Sequence, residues 1–125
     1  MGNRVGVNVD PSHLLWQGIN PSSAVLELGD AVFHAHIKDV IVEPAAMAVN
    51  GCLDGATVLD GVPRTWRFGV VGEGHDEEYW AQFLRSLKKI GYKGALSIEH
   101  ESRVADPVSG IRQGAKYLKN ILSRV

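Results

Sequence analysis

Three short apolar runs alternate with helical stretches, and this order constrains the fold more than anything else in the chain. The runs cover residues 5–10, 31–39 and 94–101, and each ends in charged or polar side chains. Between and after them lie three helix signals. Asn20-Pro21 reads as an N-cap with proline at the first helical position, followed by Ala24, Val25 and Leu28, with Gly29 as a stop. Residues 77–90 carry Tyr79, Trp80, Phe83, Leu84, Leu87 and Ile90 at helical spacing, ending at Gly91. Asp106-Pro107 opens the last helix, whose expected buried stripe is Val108, Ile111, Ala115, Leu118, Ile121 and Leu122. A strand–helix alternation of this kind predicts parallel strands joined by right-handed crossovers. A parallel sheet needs cover on both faces, from helices or from curling into a barrel. The segment 40–75 has little periodicity and is rich in Gly, Pro and Asp, so it reads as a long loop or lid after the second strand.

The chain has 125 residues, one domain's worth, and a net charge of −1. A near-neutral charge gives no electrostatic reason to expect nucleic acid or an anionic membrane as partner. No apolar run approaches the roughly 20 residues of a membrane helix. Met1-Gly2-Asn3-Arg4 has no signal-type apolar stretch behind it, and Cys52 is the only cysteine, so a reducing cytoplasm is the expected setting.

Side chains alternate between faces along a strand. Asn8 and Asp10 therefore share a face in the first run. His34, His36 and Lys38 share one in the second, opposite Phe33, Ala35 and Ile37. Ser97, Glu99 and Glu101 share one in the third, opposite Leu96, Ile98 and His100. Each strand thus has an apolar face for helix packing and a face that turns polar toward its C-terminal end. That end is where parallel α/β proteins place their sites. Asp10, His36 and Glu99 offer two carboxylates and an imidazole, a donor set for a divalent ion such as manganese, magnesium, cobalt or zinc, without the thiolates of a structural zinc site. Each residue also has a bland explanation. Asp10 before Pro11 could start a turn, Lys38 and Asp39 could be a solvated strand end, and His34 and His100 suit structural roles. Trp80 and Phe83 read as core.

Several segments together resemble the sugar phosphate isomerases/epimerases of the xylose isomerase-like barrel superfamily. They are residues 9–18 (VDPSHLLWQG), His34-Ala35-His36-Ile37-Lys38-Asp39, Trp66-Arg67-Phe68, Gly72-Glu73-Gly74-His75-Asp76, and Gly91-Tyr92-Lys93-Gly94 running into Ser97-Ile98-Glu99-His100-Glu101. The resemblance implies an α/β fold built from the C-terminal three βα units of a TIM barrel, a partial-barrel domain over residues 1–125. It implies metal ligands at Asp10, His36 and Glu99, with Glu99 also an acid or base. It places His13 at the substrate, and by the same reading Lys38, Arg67 and Trp66 orient or close over a sugar or sugar phosphate. The implied reaction is aldose–ketose isomerisation or epimerisation. A base removes a proton next to a carbonyl, and the metal stabilises the enediolate. The fourth ligand of such barrels, a glutamate on the fifth strand, has no counterpart in this sequence.

A complete barrel takes about 250 residues, and three parallel strands cannot close. Two unpaired edges would remain, so a homo-oligomer, most simply a twofold dimer, is expected. Three alternatives stay open: a non-enzymatic oligomerising fragment with a vestigial metal site, dehydration of a cyclic polyol, and a DNA-acting endonuclease branch, against which the charge counts.

Overall fold

The computed structural model describes residues 5–54, 64–103 and 105–125. Its elements follow one another as β1 (Val7–Val9), α1 (Pro11–Leu15), α2 (Pro21–Leu28), β2 (Val32–Ile37), β3 (Asp39–Val42), α3 (Pro44–Asn50), β4 (Trp66–Gly69), α4 (Glu77–Lys89), β5 (Leu96–Ile98) and α5 (Pro107–Leu122). A single 3₁₀ turn, Gly29–Ala31, joins α2 to β2.

Two helices start where the capping signals at Asn20 and Asp106 put them, and α4 starts after Asp76, a cap that the sequence pattern had not singled out. The side chains of Asn20, Asp76 and Asp106 accept from the backbone N–H of Ser23, Tyr79 and Ser109. Each satisfies a donor that the first helical turn leaves free. Gly29 ends α2 with φ of 54°, a conformation that costs glycine little.

The three expected strands form one parallel sheet in the order β1-β2-β5. Ala35, His36 and Ile37 lie opposite Leu96, Ser97 and Ile98, and Glu99 N–H extends that ladder to the Ile37 carbonyl at 3.2 Å. Asn8 and Val9 lie opposite His34 and Ala35. The strands are parallel and in register at their C-terminal ends, so Asp10, His36 and Glu99 emerge at the same edge. Helices α2 and α4 pack against each other beside this sheet, and Val25, Ala35, Ile37, Trp80, Phe83 and Ile121 are buried there. Among the described residues the sheet does not close into a barrel.

Three expectations need correction. First, Phe33 does not join the apolar helix-facing side of β2; it is 52% exposed. The register slips between Val7↔Val32 and Asn8↔His34, which leaves Phe33 as the extra residue of a bulge. Its ring lies over Gly6, where a Cβ would come within 2.1 Å of Phe33 Cγ. Second, the buried side of α5 is Gly110, Gly114, Leu118 and Ile121, while Val108, Ile111 and Leu122 are exposed. Gly110 lies directly against the His100 ring, and Gly114 faces Val71. Glycines let the helix approach closely, and a count of apolar residues cannot see such a face. Third, the stretch 40–75 is not simply a loop. It contains most of β3, all of α3 and all of β4, and β3 pairs with β4 antiparallel, Val40 opposite Phe68 and Val42 opposite Trp66. Helix α3 has no buried residue and hence no apolar stripe to mark it in the sequence. The β3–β4 pair leaves no local pattern either, because its partners are far apart in the chain. Residues 55–63 of this stretch lie outside the described residues.

Candidate metal centre

The Asp10 carboxylate is fixed by its own turn. Its Oδ1 accepts from Ser12 N–H at 2.9 Å and from the Ser12 hydroxyl at 2.7 Å, which caps α1. The other oxygen, Oδ2, is left buried with no hydrogen bond and points at the ends of β2 and β5. His36 projects from β2, and its Nδ1 is 3.7 Å from Asp10 Oδ2 and 2.7 Å from Glu99 Oε2. The ligand atoms of Asp10, His36 and Glu99 all lie within 4.8 Å of one another. The sequence-derived ligand set is therefore brought together. Asn8, on the same face of β1, places its amide 3.3 Å from His36 Nε2.

Lys38 stands at the centre of this cluster. Its side chain is fully buried, with Nζ 3.2 Å from Asp10 Oδ2, 3.1 Å from Glu99 Oε2 and 3.4 Å from Glu101 Oε1. A buried ammonium is tolerable only when paired in this way. Burial works to lower its pKa, but Glu99, Asp10 and Glu101 outweigh burial, and the net displacement is upward. Glu99 behaves in the opposite sense. Burial alone would raise its pKa, yet the Lys38 hydrogen bond and charge, with smaller help from Glu101 and His36, bring it down to about 2. Both groups stay charged at neutral pH. A solvated strand end is thereby excluded for Lys38, and equally for Asp39, which is also fully buried.

Asp39 organises the other wall. Its carboxylate accepts from the backbone N–H groups of Val40, Gly72, Gly74 and His75 and from His75 Nδ1 at 2.7 Å. This explains the Gly72-Glu73-Gly74 spacing. Gly72 has φ of 94°, and a Cβ at Gly74 would lie 2.1 Å from the Val40 carbonyl oxygen. Glu73 closes the same turn by accepting from Val70 N–H.

An aromatic wall rises beside the cluster. Phe68 lies with its ring centroid 4.4 Å from Lys38 Nζ, and the His13 ring meets Phe68 edge-on. Trp66 stacks on Trp16 with centroids 4.8 Å apart, and donates from Nε1 to the Cys52 carbonyl. Trp16, Phe68, Glu101 and Ser12 were not assigned from the sequence. Period-two alternation from Trp66 marks Phe68, and Asp-Pro-Ser marks Ser12 as a capped turn; Trp16 gave no signal of its own. Of the expected substrate-binding residues, Lys38 and His13 adjoin the cluster, His13 Nε2 being 3.4 Å from Lys38 Nζ. Arg67 and Trp66 instead line a neighbouring cavity of about 500 Å³. His100 lies against α5, as its strand face required.

Comparison with known proteins agrees with this architecture. A family model described as xylose isomerase-like TIM barrel matches residues 2–121. The chain belongs to that family. A solved member, a xylose isomerase domain protein from Planctomyces limnophilus, superposes with a TM-score of 0.69 at 25% identity, over 97% of this chain and 39% of that one. The Bacillus subtilis (strain 168) protein YfiH is 43% identical over 99% of this chain and 40% of its own length. The rhizopine catabolism protein MocC of Rhizobium meliloti is 30% identical, over 94% of this chain and 35% of its own. An inosose dehydratase of Clostridium botulinum (strain Eklund 17B / Type B) is 29% identical, over 94% of this chain and 38% of its own. The chain thus spans 35 to 40% of the length of these curated relatives.

The residues present fit a divalent cation. The donors are hard oxygens and an imidazole, as such ions require. The buried Asp10 Oδ2 is paired with a cation, Lys38 Nζ at 3.2 Å, so a metal ion would share or take over a position that already holds positive charge. Among the described residues no helix is long and apolar enough to cross a membrane.

Proposed function

We propose that this chain carries the metal-binding part of a sugar or polyol enzyme that transfers a proton next to a carbonyl, an isomerase or epimerase of sugars or sugar phosphates. The observation that carries this reading is the convergence of the ligand atoms of Asp10, His36 and Glu99 to within 4.8 Å of one another. These three would hold the ion, which when bound would polarise a substrate carbonyl and stabilise the negative charge that develops.

The chain's own residues would do the rest. Lys38, buried among the carboxylates, would keep Glu99 ionised until it turns to a substrate hydroxyl. His13, more exposed, would reach the outer side of the substrate. Trp16, backed by the stacked Trp66, would offer its outer face to the carbon face of a sugar ring, and Arg67 would close over it. Glu99 suits ligation better than proton abstraction while Lys38 donates to it, because a carboxylate with a pKa near 2 is a weak base. Its role as acid or base therefore requires Lys38 to turn toward the substrate.

Dehydration of a cyclic polyol is the second reading, favoured by the relatives named inosose dehydratase. It uses the same first step and differs in what leaves the adjacent carbon. We further propose that the chain self-associates, because the outer edges of β1 and β5 have no strand partner among the described residues. The reducing cytoplasm is the setting that suits the single free thiol of Cys52.

The test is to load the protein with Mn²⁺ and incubate it with ketoses and inososes in deuterated water. Deuterium entering the carbon beside the carbonyl, only when metal is present, supports the reading. Failure to bind any divalent ion would sink it.

A further inference from the structure

We propose that the cavity beside the metal cluster is an anion-binding subsite, which selects substrates bearing a phosphate or carboxylate at the end away from the metal. This rests on the reading above and narrows its substrate class. The cavity, about 500 Å³, lies within the usual range for small-molecule sites. Three guanidinium-bearing residues line it: Arg64 and Arg67 from the segment entering and forming β4, and Arg103 from the loop after β5. None of the three has an ion-pair partner among the described residues. Arg64 is held in place, its guanidinium 4.8 Å over the Trp66 ring, and its Nε is buried with no acceptor. A buried charged donor without a partner is costly unless a ligand supplies the acceptor. Guanidinium groups around one cavity suit the two-oxygen edge of phosphate or carboxylate.

Among the described residues Glu101 is the one carboxylate lining the cavity, and the three guanidinium groups outnumber it. The connection to the metal cluster is direct. Phe68 and Glu101 line the cavity and also touch Lys38, which in turn reaches Asp10 and Glu99. A substrate with its carbonyl at the metal would therefore project its far end past Phe68 toward the arginines.

The experiment is titration calorimetry on metal-free protein with fructose 6-phosphate, gluconate and fructose, together with a separate Mn²⁺ titration. The anionic ligands are expected to bind and neutral fructose is not; whichever anion binds tighter identifies the headgroup. Arg67→Gln and Arg64→Gln should each weaken anion binding by about tenfold or more, the loss of one charge-assisted hydrogen bond, and leave Mn²⁺ affinity unchanged. Arg103→Gln, at an exposed position, gives the same reading if Arg64→Gln does not fold. Equal binding of fructose and its phosphate, or unchanged affinity in folded variants, would overturn the proposal. Absent Mn²⁺ binding with intact anion discrimination would remove the metal reading and leave the subsite standing.

Discussion

Lys38 and Glu99 are paired at 3.1 Å and shift each other's charge state, and their chemistry sets the first predictions. Asp10 Oδ2 and Glu99 Oε2, both already facing the Lys38 ammonium, are the two carboxylate oxygens a metal ion would take. Glu99→Gln removes charge while keeping volume, so Mn²⁺ binding measured by calorimetry should be lost. Unchanged affinity would show that Glu99 is not a ligand. The same substitution has a pH signature. The folded pKa of Glu99 lies near 2, below the ordinary 4.5, so its contribution to stability is present above about pH 4.5 and is lost as pH falls toward 2. In metal-free protein, the stability gap between wild type and Glu99→Gln in urea unfolding should be constant near neutrality and close over that acid window. Lys38 is displaced upward from 10.5. Its contribution is therefore complete below that value and fades only in stronger alkali. A gap that widens on acidification would contradict the assignment. The face parity of these residues was readable from the sequence, since alternation along a strand is purely local. That Lys38 is fully buried among three carboxylates was not, because it depends on the ends of β1, β2 and β5 meeting.

The turn between β4 and α4 shows how an element can depend on one buried acceptor. Asp39 at the start of β3 binds the backbone of Gly72, Gly74 and His75, so it ties the β3–β4 pair to the start of α4. Gly74→Ala would drive a methyl group to 2.1 Å from the Val40 carbonyl oxygen. Overpacking against backbone costs about 1–3 kcal/mol, and thermal unfolding should show a loss of that order. Because β3 follows directly on Lys38, Mn²⁺ affinity should fall in the same variant; a fully stable Gly74→Ala protein would argue against the tight turn. Hydrogen exchange should divide the segment 40–75. The amides of β3 and β4 should be protected by their pairing, and α3, which buries nothing, should exchange fast. Equal, rapid exchange throughout would leave neither a lid nor a subunit contact. The Gly-Glu-Gly motif was visible in the sequence, but its reason, a carboxylate 33 residues upstream of Gly72, appears only on folding.

At the scale of the whole molecule, both outer strands and several apolar side chains are left uncovered among the described residues. The β1 and β5 edges, Phe33 beside β1, and Val108, Ile111 and Leu122 on α5 all face outward. Unpaired edges and apolar residues of this kind favour association. Sedimentation should therefore show a dimer or larger assembly at micromolar concentration, and a stable monomer would refute the proposal. The sequence alone determined the three parallel strands and the helices between them, two capped helix starts and the strand faces that carry Asp10, His36 and Glu99, because each follows from spacing within one element; that these three meet depended on the strands pairing in register. Only the tertiary structure decided the antiparallel β3–β4 pair, the glycine face of α5, the bulge at Phe33 and the arginine-lined cavity. Each of these rests on contacts between residues distant in the chain, and a local pattern of side chains carries no record of such contacts until the backbone brings them together.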